Sequence, residues 1–182
     1  EKFKTNNFIV KSNNRTLIGN HSGSNQYSVN MGMVTFDKDW MPDKETLIDF
    51  AAKFNLSPKE IICADIGNPH LVIFSKLFDE DKIIIARNLQ STNFFKNGVN
   101  INFASVNDDV INLKVYERGV GFTLACGSGA CASYASAINL GLISGSAVVN
   151  FEYGKLKMSH DHGNVIMTGP ANFVFEGDYY YA

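Results

Sequence analysis

Apolar and polar residues alternate at period two along much of the chain, and three segments break that alternation with the longer period of a helix. Val99, Ile101 and Phe103 share one face of a run whose other face carries Asn100 and Asn102, and Ile111, Leu113 and Val115 share a face in the next run, 110–116. Further strands are predicted at 8–10, 26–31, 60–65, 70–74, 147–153, 164–167 and 172–175. Turn chemistry separates them at Asn97-Gly98, Asn107-Asp108, His162-Gly163-Asn164 and Gly169-Pro170. The spacing predicts a surface helix over 43–55, where Leu47, Phe50, Ala51 and Phe54 fall at i, i+3, i+4 and i+7, and a weaker one over 79–89.

The third helical segment, 127–140, differs in kind. It lies in the stretch from Gly119 to Phe151, which contains no Asp, Glu, Lys or Arg. Glycine, serine and asparagine interrupt that stretch well short of the roughly 18 consecutive apolar residues of a membrane span. A helix with no charged face must be enclosed on most sides. Ala130, Ala132, Ala135 and Ala137 suit a narrow enclosure, and Gly141 is a natural stop in a left-handed conformation. The expected fold is therefore α/β (α+β): many strands, one enclosed helix and a few outer helices.

Composition narrows the setting. With 182 residues, 45% hydrophobic, 19% charged and a net charge of −2, the chain can build a sizeable core, as one domain or as a large half of a two-domain protein. Neither a basic nucleic-acid surface nor a membrane-binding helix is expected. Three cysteines, Cys63, Cys126 and Cys131, show no framework spacing and point to reduced thiols in a cytosolic compartment. The chain opens at Glu1 with neither Met nor an apolar signal segment, so it is expected to begin partway through a protein.

The richest candidate chemistry sits where the enclosed helix starts, at Leu124-Ala125-Cys126-Gly127-Ser128-Gly129-Ala130. Amides without a helical carbonyl partner form a site for a carboxylate or phosphate, and they lower the pKa of a thiol placed among them. A buried structural cysteine is an equally weighted alternative. Gly127 to Ala132 also fits G-x-G-x-x-A with Glu152 beyond it, a weak dinucleotide-binding signal, since no further βα units follow. Continuing the alternation of Ile111, Leu113 and Val115 turns Glu117 inward, where a carboxylate must be paired or functional, and Arg118 outward; the alternative is a solvated ion pair. In Gly67-Asn68-Pro69-His70, Asn68 could bond a zwitterionic ligand and His70 could carry a proton, against the plainer reading of a turn with a structural histidine. His160-Asp161-His162 lies in a polar turn without further ligands, and Tyr179-Tyr180-Tyr181 has no basic residues interleaved, so neither a metal nor a base-stacking platform is expected.

Taken together, the string from Tyr116 to Ala132 resembles the signature of the C-terminal half of the diaminopimelate epimerase family, and Gly67-Asn68-Pro69-His70, Gly98-Val99-Asn100 and Met167-Thr168-Gly169-Pro170 with Phe173-Val174-Phe175 follow the order used by that family. The resemblance implies a curled mixed or antiparallel sheet wrapped around a central helix. It implies interconversion of LL- and meso-2,6-diaminopimelate without pyridoxal phosphate, other cofactor or metal, by a thiolate and a thiol on opposite sides of the α-carbon. Cys126 would be one of these. The amides of Gly127 and Ser128 would hold the α-carboxylate, Asn68, Asn100, Glu117 and Arg118 would contact substrate, and His70 with Glu117 would tune the cysteine pKa values. Phe122 stands where the family usually has Glu, and Leu71 where Cys is common.

The family's other cysteine lies in a Cys-Gly-Asn-Gly motif that has no match here. Cys131 cannot replace it, being roughly 140° around the helix and about 7.5 Å along it from Cys126. Cys63 lies in a strand-like run with no glycine-rich helix start behind it. The resemblance thus implies a C-terminal part of the enzyme that is inactive by itself and partnered by the N-terminal half, with a homodimer as a further possibility. Residues 1–27 and 171–182 would add strands to that half's sheet, and 28–170 would form the C-terminal domain. The remaining alternative is a non-enzymatic carboxylate-binding module.

Overall fold

The computed structural model describes residues 6–12, 15–91 and 94–180. The strands are β1 (Asn7–Ser12), β2 (Arg15–His21), β3 (Gln26–Met33), β4 (Ile61–Asp65), β5 (Pro69–Phe74), β6 (Asn100–Asn107), β7 (Val110–Glu117), β8 (Gly121–Thr123), β9 (Ala147–Phe151), β10 (Gly154–Asp161) and β11 (Asn164–Pro170). The helices are α1 (Lys44–Lys53), α2 (Asp79–Ser91) and α3 (Gly127–Asn139). All strands join one sheet in the order β1-β2-β3-β11-β10-β9-β7-β6-β5-β4, with β8 paired to β7. Neighbours are antiparallel except β5 with β6 and β7 with β9. A parallel pair needs a long crossover, and these two connections carry α2 and α3.

The sheet curls around α3, which packs against β4, β5, β6, β7, β9, β10 and β11. The ends of the curl meet where Thr35, just past β3, and Asp65, at the end of β4, exchange two backbone hydrogen bonds of 2.9 Å each. Arg15 of β2 adds bonds from its guanidinium to the carbonyls of Ile66 and Met31. A curled sheet around a central helix is what the resemblance implied, and the sheet is unclosed.

Each face of the sheet has its own core. Inside the curl, Ala130, Cys131, Ala132, Tyr134 and Ala137 of α3 pack on Val72, Phe74, Ile111, Leu113, Val115, Val149 and Met158. Outside it, Phe50 and Ala51 of α1 and Ile85, Ala86 and Leu89 of α2 cover Cys63, Leu71, Ile73, Ile101 and Phe103. This double cover explains the unbroken apolar run Leu71-Val72-Ile73-Phe74 in β5. Asp43 caps α1 by accepting the Thr46 N–H at 2.8 Å. Gly141 ends α3 at φ +70, where the Leu142 N–H reaches the Ala137 carbonyl and the Gly141 N–H that of Ile138, the paired bonds of a Schellman cap.

Three strands lie outside the sequence expectation. β2 hides its alternation because Leu17 and Ile18 are adjacent apolar residues and an inward Gly19 follows them. β8 is only three residues long. In β10 the pattern is present, with Leu156 and Met158 turned in between exposed Lys155 and Lys157. The strand expected at 172–175 is corrected: residues 171–180 form none, and Phe173, Val174 and Phe175 are exposed. A strand needs a neighbouring strand, and among the described residues none pairs with this segment; near its start the Ala171 N–H meets the Asn25 carbonyl at 3.0 Å and the Asn25 and Asn172 amides meet at 3.3 Å. Tyr181, like residues 1–5 of the proposed 1–27 segment, lies outside the described residues.

The two cores set a pH limit on stability. Burial pushes the thiols of Cys63 and Cys131 up to about 12 from an ordinary 9.0. Between those values the unfolded chain sheds protons that the folded chain keeps, so stability is fully present below the unfolded pKa and is lost as pH rises. Unfolding free energies from urea titrations are expected to fall steeply from about pH 9, by up to about 1.4 kcal/mol per pH unit and thiol. Replacing both cysteines with alanine should flatten the slope; an unchanged slope would assign it to other groups.

Candidate active site

One corner of the sheet gathers the starts of β5 and β6, the end of β7 and the N-terminus of α3. The turn into β5 is set by Gly67 at φ +97, whose N–H bonds Asp65 Oδ1 at 2.8 Å, while Asp65 Oδ2 accepts the Trp40 indole N–H at 2.8 Å. Asn100, at the head of β6, donates to the Pro69 carbonyl at 3.0 Å and accepts the Arg118 N–H at 3.0 Å, lashing this turn to the end of β7. The Arg118 side chain lies back over Gly98 and donates to the Asn97 carbonyl at 2.8 Å. Gly98 has φ +68, and a Cβ there would come within 2.8 Å of Arg118 Cδ. Glu117 lies one alternation beyond Val115, and its carboxylate accepts the Thr123 hydroxyl at 2.6 Å across the β7–β8 hairpin.

Cys126 is the N-cap of α3, in extended backbone, and its Sγ accepts the Gly129 N–H at 3.4 Å. Gly129 is needed there because a Cβ would meet Val115 at 3.1 Å and Cys126 Sγ at 3.3 Å. A polar chain runs inward from the sulfur: Sγ to Ser128 Oγ 3.5 Å, Ser128 Oγ to His70 Nε2 3.1 Å, and His70 Nδ1 to Asn102 Oδ1 3.1 Å. Asn68 donates to Ser128 Oγ at 3.3 Å, and Asn102 donates to the Gly129 carbonyl at 2.9 Å and to Ser133 Oγ at 3.0 Å. His70, Asn102 and Ser133 are fully buried, which is tolerable only because each is bonded.

Of the two sequence readings of Cys126, held equal, one has the helix amides lower its pKa and the other buries it; the Cys126 pKa is raised. Burial is the largest cause and outweighs the Ser128 and Gly129 hydrogen bonds, which lower it, while the Glu117 charge adds a further raise. Burial also lowers the His70 pKa, against the Asn102 bond and the charges of Asp65 and Glu117. The thiol is 8% exposed, yet its neighbour Leu124 is 65% exposed, so Cys126 lies at the rim of the enclosure.

Asn68, His70, Cys126 and Ser128 thus form one bonded group, Glu117 acts on both His70 and Cys126 through its charge, and Asn100 and Arg118 adjoin through Pro69 and the backbone. Gly127 sits beside Met167, whose Sδ a Cβ would meet at 3.3 Å. Sequence reasoning missed Thr123, Ser133 and the part played by Asn102; the signal for Asn102 was a polar residue on a strand face that turns toward a charge-free helix. Phe122 packs edge-on to Tyr116 with ring centroids 5.0 Å apart and lies under Lys114 Nζ, 5.1 Å from its centroid. Leu71 is core. The dinucleotide reading does not hold, because the glycine segment is entered from β8, antiparallel to β7, and α3 is sheathed by strands. His160 meets the Tyr134 hydroxyl at 2.8 Å.

Among solved structures this architecture is that of epimerase and PhzF-type proteins. A "Predicted Epimerase" from Pseudomonas aeruginosa superposes with a TM-score of 0.61 at 16% identity, over 90% of this chain and 63% of that one. A PhzF-family phenazine biosynthesis protein from Bacillus anthracis does so with 0.62 at 11% identity, over 92% and 66%. At such identities these likenesses show the fold alone. The sequence profile of the diaminopimelate epimerase family matches residues 62–174, and the chain belongs to that family. Its relatives include the diaminopimelate epimerases of Rickettsia prowazekii (strain Madrid E), 50% identical over 175 residues, and Rickettsia akari (strain Hartford), 49% identical over 168. These alignments cover 96% and 92% of this chain and 65% and 62% of the relatives, so the chain spans somewhat under two thirds of their length.

Proposed function

We propose that this chain carries one side of an active site that interconverts LL- and meso-2,6-diaminopimelate in the synthesis of lysine and peptidoglycan precursors. The observation that carries the reading is Cys126 Sγ at the start of α3, at the N-terminal amides of the helix and beside Asn68, His70 and Glu117. In this reading the amides of Gly127 and Ser128 hold the α-carboxylate and stabilise the charge that develops on it as the α-proton leaves. Asn68, Asn100, Glu117 and Arg118 complete the substrate contacts, and His70 with Glu117 sets the protonation of the sulfur. Cys126 takes or gives the proton on one face of the carbon, and a second thiol serves the other face. No cofactor or metal takes part, and the enzyme works in the cytoplasm.

The second thiol comes from an N-terminal half, without which the 182-residue chain is inactive. Residues 28–170 form the C-terminal domain; 1–27 and 171–182 serve the sheet of the other half, and two copies pair as a homodimer. The exposed Ile9, Val10 and Ile18 on β1 and β2, and the exposed Phe173, Val174 and Phe175, support this division. The test is exchange of the α-proton of LL-diaminopimelate in D2O, followed by 1H NMR. The chain alone should give none and the chain joined to the upstream half should give exchange with inversion. Substrate binding without exchange in the joined protein would leave only a carboxylate-binding module.

A further inference from the structure

The polar chain behind Cys126 has a direction that its bonding partners fix. Asn102 Nδ2 lies 2.9 Å from the Gly129 carbonyl oxygen, which can only accept, so the atom facing His70 Nδ1 at 3.1 Å is the amide oxygen. An amide oxygen also only accepts, so Nδ1 carries the ring proton. In the neutral ring Nε2 is therefore an acceptor, and Ser128 must donate its hydroxyl proton to it across 3.1 Å. Asn68 fills one lone pair of Ser128 Oγ. The remaining partner, Cys126 Sγ at 3.5 Å, then donates its S–H to the hydroxyl oxygen. Every bond from sulfur to amide points the same way.

We propose that the Ser128 hydroxyl relays a proton between Cys126 and His70, and that Asn102 is the positioning residue that keeps His70 Nε2 ready to receive it. The S–H proton moves to Ser128 Oγ as the Ser128 O–H proton moves to His70 Nε2. The S–H bond and the old O–H bond break, and a new O–H bond and an N–H bond form. A thiolate and an imidazolium result, the hydroxyl is regenerated, and the reverse transfer restores the thiol. The groups facing this chain are Asp65 at the end of β4 and Glu117 at the end of β7, whose charges favour the imidazolium, and Cys131 within α3, beside which Arg15 acts from β2. Glu117 opposes the thiolate, and the Gly129 N–H favours it. Burial disfavours each charge alone, so the two arise together, with one hydroxyl between them.

This deepens the epimerase reading and rests on it for the use made of the thiolate. The test needs no substrate. Iodoacetamide alkylation of Cys126 in the 182-residue chain, resolved from Cys63 and Cys131 by peptide mass spectrometry, is followed against pH. Thiol with neutral ring and thiolate with imidazolium hold the same number of protons, so the relay gives a rate shoulder between about pH 6 and pH 8, below the ionisation of the thiol alone. Ser128→Ala should abolish that shoulder, leaving a single inflection at higher pH because the thiol also loses the bond that lowers its pKa, and Ser128→Thr should keep the shoulder. In the unsubstituted chain, 15N NMR should show His70 protonated at Nδ1 and bare at Nε2 above the ring's titration, a readout independent of how any variant folds. A single inflection in the unsubstituted chain, an unchanged shoulder in Ser128→Ala, or a proton on Nε2 would each overturn the relay. Failure of the epimerase reading is distinguishable, since it leaves the shoulder in place and abolishes only diaminopimelate exchange by the joined protein.

Discussion

Cys126→Ser, in the chain joined to its proposed N-terminal half, is expected to lower epimerisation by about a thousandfold or more without loss of fold. The two consequences separate because the proposed reaction gives Cys126 a second job beside its cap. As N-cap it accepts the Gly129 N–H, and serine, a strong N-cap, does this at least as well. As acid and base in the proposed reaction it would shed and regain a proton near neutral pH, which a hydroxyl does far less readily than a thiol. The helix amides of Gly127 and Ser128 remain, so the dissociation constant for diaminopimelate should change by only about threefold while kcat collapses. Proton exchange in D2O and calorimetric binding measure the two quantities. Activity within about tenfold of the unsubstituted enzyme would remove Cys126 from the chemistry.

The largest effect on stability is expected at Tyr134. It is the bulkiest of the fully buried side chains, at the middle of α3 and surrounded by the curl. Its hydroxyl donates to the Gly145 carbonyl at 2.9 Å and meets His160 Nδ1 at 2.8 Å. Tyr134→Ala removes the ring from a space whose walls are strands tied into a ladder and cannot collapse inward, and should cost about 3–5 kcal/mol in urea unfolding. Tyr134→Phe keeps the ring, loses the hydrogen bonds and should cost about 1–2 kcal/mol. Equal costs for the two would mean that the hydroxyl, and not the packing of α3, dominates the site.

What the sequence disclosed follows from where each residue's partners lie. An enclosed helix must lack charge over its whole length, so α3 was readable from the residues between Gly119 and Phe151. α1 was readable because its apolar stripe and its Asp43 cap are local. Asn100 and Asn102 look like the wet side of a half-buried strand; only tertiary pairing shows that this side faces α3 and that both amides spend their bonds on other segments. Cys126 illustrates the same gap. Its position at a helix start is local information, but the depth that raises its pKa belongs to the whole curl. At 172–175, apolar content without a neighbouring strand produced the one strand expectation that the structure corrects.

The curl around α3 has a seam. Every other pair of neighbouring strands shares a ladder, whereas β3 and β4 are clasped by the two Thr35–Asp65 bonds and by the guanidinium of Arg15. That clasp adjoins the turn bearing Asn68 and His70. The seam of the sleeve therefore runs beside the Cys126 end of α3, and the bonds of Asn68 and His70 to Ser128 are made along the edge where the sheet has no ladder.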